Sequence, residues 1–155
     1  TSEYIPSSWD NRHILSLTAT RKLGLWDIGM KWRFTNGAPF TPYDRETSSL
    51  IAAWDVKRQP YLDYSRFNSE RASSFHQLDI RVDRSFYFKK WSLILYADIQ
   101  NIYNHKTKSP DLLVPQENSD GSYKIDPERP DHYLMRYIKN DTGSLLPSVG
   151  IIVEF

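Results

Sequence analysis

The chain contains no cysteine among its 155 residues, so it has no disulfide framework and no thiolate nucleophile or ligand. No apolar run approaches the roughly 18 residues of a spanning helix. That excludes a helical membrane protein and leaves strand-built barrels untouched, because their strands are only about half apolar. Charge of one sign is also missing: the formal net charge is +1, which gives no argument for a nucleic-acid partner. No Gly-rich phosphate loop, Gly-x-Ser-x-Gly elbow or metal motif occurs. The four histidines, His13, His76, His105 and His132, are scattered along the chain. Asp79 and Asp83 alternate with Arg81 and read as a salt-bridge ladder rather than an acid–base pair. Asn118-Ser119-Asp120-Gly121 starts like a calcium loop but lacks the later ligands, and is expected to be a turn. The expectation is a protein without catalytic residues, metal or cofactor. No secretory leader opens the sequence. For an outer-membrane protein that implies a mature or truncated chain.

Aromatic residues are plentiful instead, with ten Tyr, seven Phe and five Trp. Their placement follows a period of two. In the last eight residues Val149, Ile151, Val153 and Phe155 share one face of an extended strand. Ser148, Gly150, Ile152 and Glu154 share the other. The same alternation recurs over 12–21, 26–34, 76–88 and 91–103. The stretch 26–34 sets Trp26, Ile28, Met30, Trp32 and Phe34 against Asp27, Gly29, Lys31 and Arg33. Soluble strands average about 5–6 residues. A tilted strand needs roughly 9–11 to cross a bilayer, and these runs have that length. Trp26, Trp32, Phe34, Phe86, Phe88, Trp91 and Tyr103 are expected at the interfacial girdles.

The alternation also fixes partners. A two-residue turn at Lys89-Lys90 sets Phe88 beside Trp91, Phe86 beside Leu93, Val82 beside Ala97 and Ile80 beside Ile99. On the polar face it sets Arg81 opposite Asp98, a predicted lumen-side ion pair, and Asp79 opposite Gln100. A two-residue turn at Leu23-Gly24 sets Trp26 beside Arg21, Ile28 beside Ala19, Met30 beside Leu17 and Trp32 beside Leu15. Arg84 falls on the apolar face near a turn. It either snorkels to the interface or is rotated inward by a bulge.

Connections sort into two kinds. The two turns are tight. The stretches 35–75 and 104–146 are long and polar, and carry most of the prolines. Strand parity puts both tight turns on one side, expected to be periplasmic, and both long loops on the other, expected to be extracellular. A short strand is expected near His132–Ile138 inside the last loop. In the first loop Trp54, Tyr61, Tyr64 and Phe67 are candidates to stack on a ligand. Arg45, Lys57, Arg58, Arg66 and Arg71 are candidates to attract an anion. For both sets, packing or a solvated loop surface is the competing reading.

Several short motifs point the same way. Trp9-Asp10-Asn11-Arg12-His13 resembles a Tyr-Asp-x-Arg-His strand opening. Asn36-Gly37-Ala38-Pro39-Phe40-Thr41-Pro42 resembles a Ser-Gly-x-Pro-Tyr-Thr-Pro loop. Leu78-Asp79-Ile80-Arg81-Val82-Asp83 with Phe86 resembles a Leu-Asp-x-Arg-x-x-Lys-x-Phe strand, with Arg84 in place of Lys. Asp98-Ile99-Gln100-Asn101-Ile102-Tyr103-Asn104 resembles an Asp-x-x-Asn-x-x-Asp/Asn segment. Leu146 through Phe155 resembles a closing barrel strand, with Ser148, Gly150, Val153 and Phe155 at the four positions of the outer-membrane assembly signal. In this order the motifs resemble the C-terminal end of a TonB-dependent outer-membrane receptor.

That resemblance implies an all-β, antiparallel transmembrane barrel segment of about five long strands, the last of a larger barrel. It implies a plug domain and a TonB-contacting part outside this chain, since five strands cannot close a membrane barrel. A fragment of a longer receptor is the favoured account, and a separate subunit the other. Implied partners are the rest of the barrel and its plug, TonB, the assembly machinery, the lipid bilayer and a possible surface lipoprotein, with no nucleic acid. The implied role is import of a siderophore, cobalamin, haem or a glycan; from the loop residues themselves, Trp54, Tyr61, Tyr64 and Arg66 are the candidate ligand contacts. The alternatives are a soluble carbohydrate-binding β-sandwich and a passive porin.

Overall fold

The computed structural model describes residues 4–155. Two long strands come first, β1 (Ile14–Leu23) and β2 (Trp26–Thr35). A stretch of short elements follows: β3 (Pro39–Phe40), β4 (Tyr43–Asp44), helices α1 (Arg45–Ser49) and α2 (Ile51–Lys57), β5 (Tyr61–Leu62) and β6 (Glu70–Arg71). Then come β7 (Phe75–Tyr87), β8 (Ser92–Gln100), β9 (Thr107–Pro115), β10 (Ile125–Asp126), β11 (Arg129–Tyr133), β12 (Met135–Thr142) and β13 (Leu146–Glu154). The protein is thus mostly antiparallel β-structure. Its main sheet has five strands in the order β1-β2-β7-β8-β13, and the sheet is open, with β1 and β13 at its edges.

The β7–β8 register matches the alternation. Ile80 pairs with Ile99, Arg81 with Asp98, Val82 with Ala97 and Phe86 with Leu93. The turn is closed by Phe88 N–H donating to Trp91 O at 2.9 Å, and the two rings stack 4.1 Å apart. The first hairpin corrects the expected register. Leu23 pairs with Trp26 and Arg21 with Ile28, so the turn is Gly24-Leu25. Gly24 takes a φ of 62°, which a leucine at the first turn position would adopt only under strain. Every expected partner therefore shifts by two residues, and every side chain keeps its face. β8 also ends earlier than expected. Asn101 turns the chain at a φ of 54°, and its side chain bonds both the N–H and the O of His105, at 2.8 and 2.9 Å. Such local bonds offer the backbone an alternative to the ladder.

The chain divides into two compact units. One holds the five-stranded sheet: Asn11–Asn36, Ser74–Thr107 and Asp141–Phe155. The other combines most of both long connections, Gly37–Ser73 and Lys108–Asn140, with the segment before Asn11. These connections are not the plain loops the sequence suggested. Trp54, Leu113 and Met135 form a buried core, with Tyr43, Tyr123 and Tyr133 packed around it. Asp44 caps α1 by accepting the Thr47 N–H at 3.0 Å. Beyond α2, Arg58 lies in the left-handed region and its N–H bonds Trp54 O, which terminates the helix. The strand expected near His132–Ile138 is two strands, β11 and β12, interrupted at Leu134.

Candidate functional site

The five-stranded sheet has two unlike faces. The first carries Leu15, Leu17, Ala19, Ile28, Met30, Trp32, Leu78, Ile80, Val82, Leu93, Leu95, Val149, Ile151 and Val153, aligned row by row through the register. No layer covers it. Leu17 is 57% exposed, Ile151 66% and Val149 82%. Within this unit no apolar side chain is buried: the described core lies wholly in the other unit. Soluble monomers rarely expose large contiguous apolar patches.

The opposite face is polar and bonded to itself. Arg33 donates to Asp79 at 3.1 Å, and Asp79 also accepts from Gln77 at 2.5 Å and from the Asn101 backbone at 3.0 Å. The β7–β8 register runs in the expected frame up to Ile80 and Ile99, one pair short of Asp79 and Gln100. Arg81 lies opposite Asp98 in the register, yet it is not the Asp98 carboxylate that holds it. Its guanidinium forks onto Asp83, two residues along its own strand, at 2.7–3.1 Å. Its plane lies 4.3 Å from the centre of the Tyr96 ring. The Arg81–Asp98 ion pair is thus corrected to Arg81–Asp83. Same-face neighbours on one strand allow a bidentate fork, and Asp98 instead accepts from Gln100 at 3.4 Å.

Tyr96 links this network to the closing strand. Gly150 pairs with Tyr96, and a Cβ at Gly150 would collide with the tyrosine ring. The ring lies where a side chain would be, so β13 is keyed to β8 by aromatic-over-glycine contact. The other assembly-signal positions are regular. Ser148 pairs with Asp98 and Val153 with Leu93, while Phe155 follows the last strand residue and is fully exposed. Residue pattern alone did not give the Gly150–Tyr96 contact. Its signal was a glycine directly opposite an aromatic, visible only once the β8–β13 register is known.

The four ligand candidates separate. Trp54 is 4% exposed and belongs to the core of its unit, so it offers no plate to a ligand. Its bulk is what the short α2 buries against Tyr123, whose ring meets it edge-on at 6.4 Å. Tyr61 is half-buried, donates its hydroxyl to Ala53 O at 3.2 Å and lies under the Lys57 ammonium at 4.5 Å. Tyr64 is exposed and its ring runs near-parallel to Phe67, 6.3 Å away. Arg66 is tied to Glu70 at 2.6 Å. Of the five cations named for an anion, Arg58, Arg66 and Arg71 are paired, with Asp55, Glu70 and Asp10 respectively.

The same unit holds a charged cluster that the sequence did not announce, because Glu46 lies more than eighty positions from its partners Arg129 and His132. Arg129 reaches Glu46 at 2.8 Å and Asp126 at 3.2 Å. His132, nearly buried, contacts Glu46 through Nε2 at 3.1 Å and Asp131 through Nδ1 at 2.8 Å. The His132 hydrogen bond lowers the Asp131 pKa. The Glu128 N–H lowers that of Asp126, and Thr47 lowers that of Asp44. Burial, then the hydrogen bond to Asp55, raises the Tyr133 phenol. These contacts fasten α1 and β11 together.

Among the described residues no helix is long and apolar enough to cross a membrane. Comparison with protein-family models, curated proteins and solved structures finds no match to the chain.

Proposed function

We propose that the five-stranded sheet is a stretch of transmembrane β-barrel wall in a bacterial outer membrane. On this reading the chain is the C-terminal part of a receptor for TonB-coupled import of a siderophore, cobalamin, haem or glycan. One observation carries the proposal: the sheet's apolar face is long, continuous and uncovered, while its other face is polar and self-bonded. In water that face would demand a covering layer. In a barrel wall the covering is lipid. The two free edges fit the same account, since an unpaired edge in hydrocarbon leaves each backbone group unsatisfied at several kcal/mol. Further strands of the same barrel are proposed to pair with β1 and β13.

The parity of the strands supports an orientation. The Gly24-Leu25 and Lys89-Lys90 turns would face the periplasm, and the two long connections the exterior. The folded unit built from those connections would then be the surface that meets the nutrient, or a lipoprotein partner. The coupling to TonB and the plug would belong to the rest of the protein.

Peptide mapping of the membrane-extracted protein tests the reading, combined with uptake measured before and after dissipating the proton-motive force. Peptides of a plug preceding the barrel, and uptake that stops when the force collapses, are expected. Uptake that continues would favour a passive pore. A chain of 155 residues recovered from an aqueous extract without detergent would contradict the proposal.

A further inference from the structure

We propose that Arg84 holds the phosphate of an anionic phospholipid headgroup on the outer surface of the barrel wall, at the tight-turn end. The inference rests on the barrel reading above. Arg84 sits on the apolar face, in regular register with Trp26 on β2 and Leu95 on β8, so no bulge turns it inward. Its guanidinium lies 4.6 Å from the centre of the Trp26 ring and 5.4 Å from that of Phe86. Among the described residues it makes no hydrogen bond and no ion pair.

Aromatic faces occupy the plane of a guanidinium and leave its N–H edge free. That edge presents five donors in a fork that fits a phosphate bidentately. A half-buried cation with unmet donors is costly in an apolar belt. The described residues supply no partner, and on the barrel reading the partner comes from the membrane.

Charge and depth select which one. The outer face of the sheet carries Arg21 and Arg84 and no carboxylate. Asp27, Asp79, Asp83, Asp98 and Glu154 all lie on the opposite face. Cations alone on that surface favour an anionic over a zwitterionic headgroup. Arg84 is level with the Leu23–Trp26 pair that closes the first turn. It therefore stands at headgroup depth, in the leaflet that the tight turns enter.

The experiment is native mass spectrometry of the whole detergent-extracted protein that carries this chain. Phosphatidylglycerol, phosphatidylcholine and inorganic phosphate are titrated in turn. Wild type is expected to retain phosphatidylglycerol over phosphatidylcholine. Arg84→Gln is expected to weaken phosphatidylglycerol retention about fivefold. Arg84→Lys, which keeps the charge and loses the planar fork, is expected to weaken it about twofold. Millimolar inorganic phosphate should not displace the lipid. Wild-type retention by whichever variant folds, or displacement by inorganic phosphate, would overturn the site. Solubility without detergent and binding of neither lipid would instead overturn the barrel reading itself.

Discussion

The sheet and the unit built from the long connections solve opposite problems with similar residues. The connection unit hides Trp54, Leu113 and Met135 inside itself and fastens its elements with Glu46, Arg129 and His132. The sheet hides none of its apolar side chains and bonds only its polar ones. Burial in the first is supplied by the chain; in the second, on the barrel reading proposed above, lipid would supply it. Residue type alone therefore does not identify a core: Trp54 and Trp26 differ in what lies beside them, not in chemistry.

Breaking the core of the connection unit should have the largest effect. Trp54→Ala is expected to cost about 3–5 kcal/mol there, as large-to-small core changes do. Hydrogen exchange should speed up over 37–73 and 108–140 while the β7–β8 hairpin keeps its protection. Equal loss in both would mean that the two regions are not separate in stability.

Met30→Arg addresses the sheet. With lipid on that face it should cost about 2–4 kcal/mol near mid-membrane, measured by denaturant titration in vesicles. Thr18→Arg, on the other face, should be nearly neutral. Similar small costs for both would place water on both faces.

Gly150→Ala sharpens the account of the closing strand. Crowding against the Tyr96 ring should cost about 1–3 kcal/mol. Adding Tyr96→Ala should relieve part of that cost, and a double-mutant cycle reads the coupling. Strict additivity would show that the ring and the glycine do not meet.

Acid should act on the connection unit more gently. Asp44, Asp126 and Asp131 have folded pKa values below their ordinary 3.8. Their contribution is complete above that value and fades as pH falls through the depressed ones. These three carboxylates should therefore begin to loosen the connection unit only below pH 3.8. Fluorescence of Trp54 provides the readout, with the other tryptophans replaced by phenylalanine.

Much of the sheet was legible because a period of two is a local signal, repeated over whole strands. All five long strands, the β7–β8 register and the two faces follow from it. The first hairpin slipped by two residues because both registers match apolar to apolar. Only the need of Gly24 for a positive φ chooses between them. The connection unit was not legible. Most of its strands are short, β9 carries prolines that argue against a strand, and Glu46 pairs with Arg129 and His132 from more than eighty positions away. Trp54 looked like a ligand plate because an aromatic residue in a polar stretch gives no hint of a core assembled from two distant segments.

The most direct test uses the absence of cysteine, which lets single cysteines be placed along 26–34 of this chain and spin-labelled. Collision with oxygen and with a water-soluble nickel chelate is then measured for the protein in vesicles. The account predicts that labels at 28, 30 and 32 meet oxygen, while labels at 27, 29 and 31 meet the chelate. Labels at 28, 30 and 32 that meet neither, or that meet the chelate as freely as their neighbours, would contradict a lipid-facing wall.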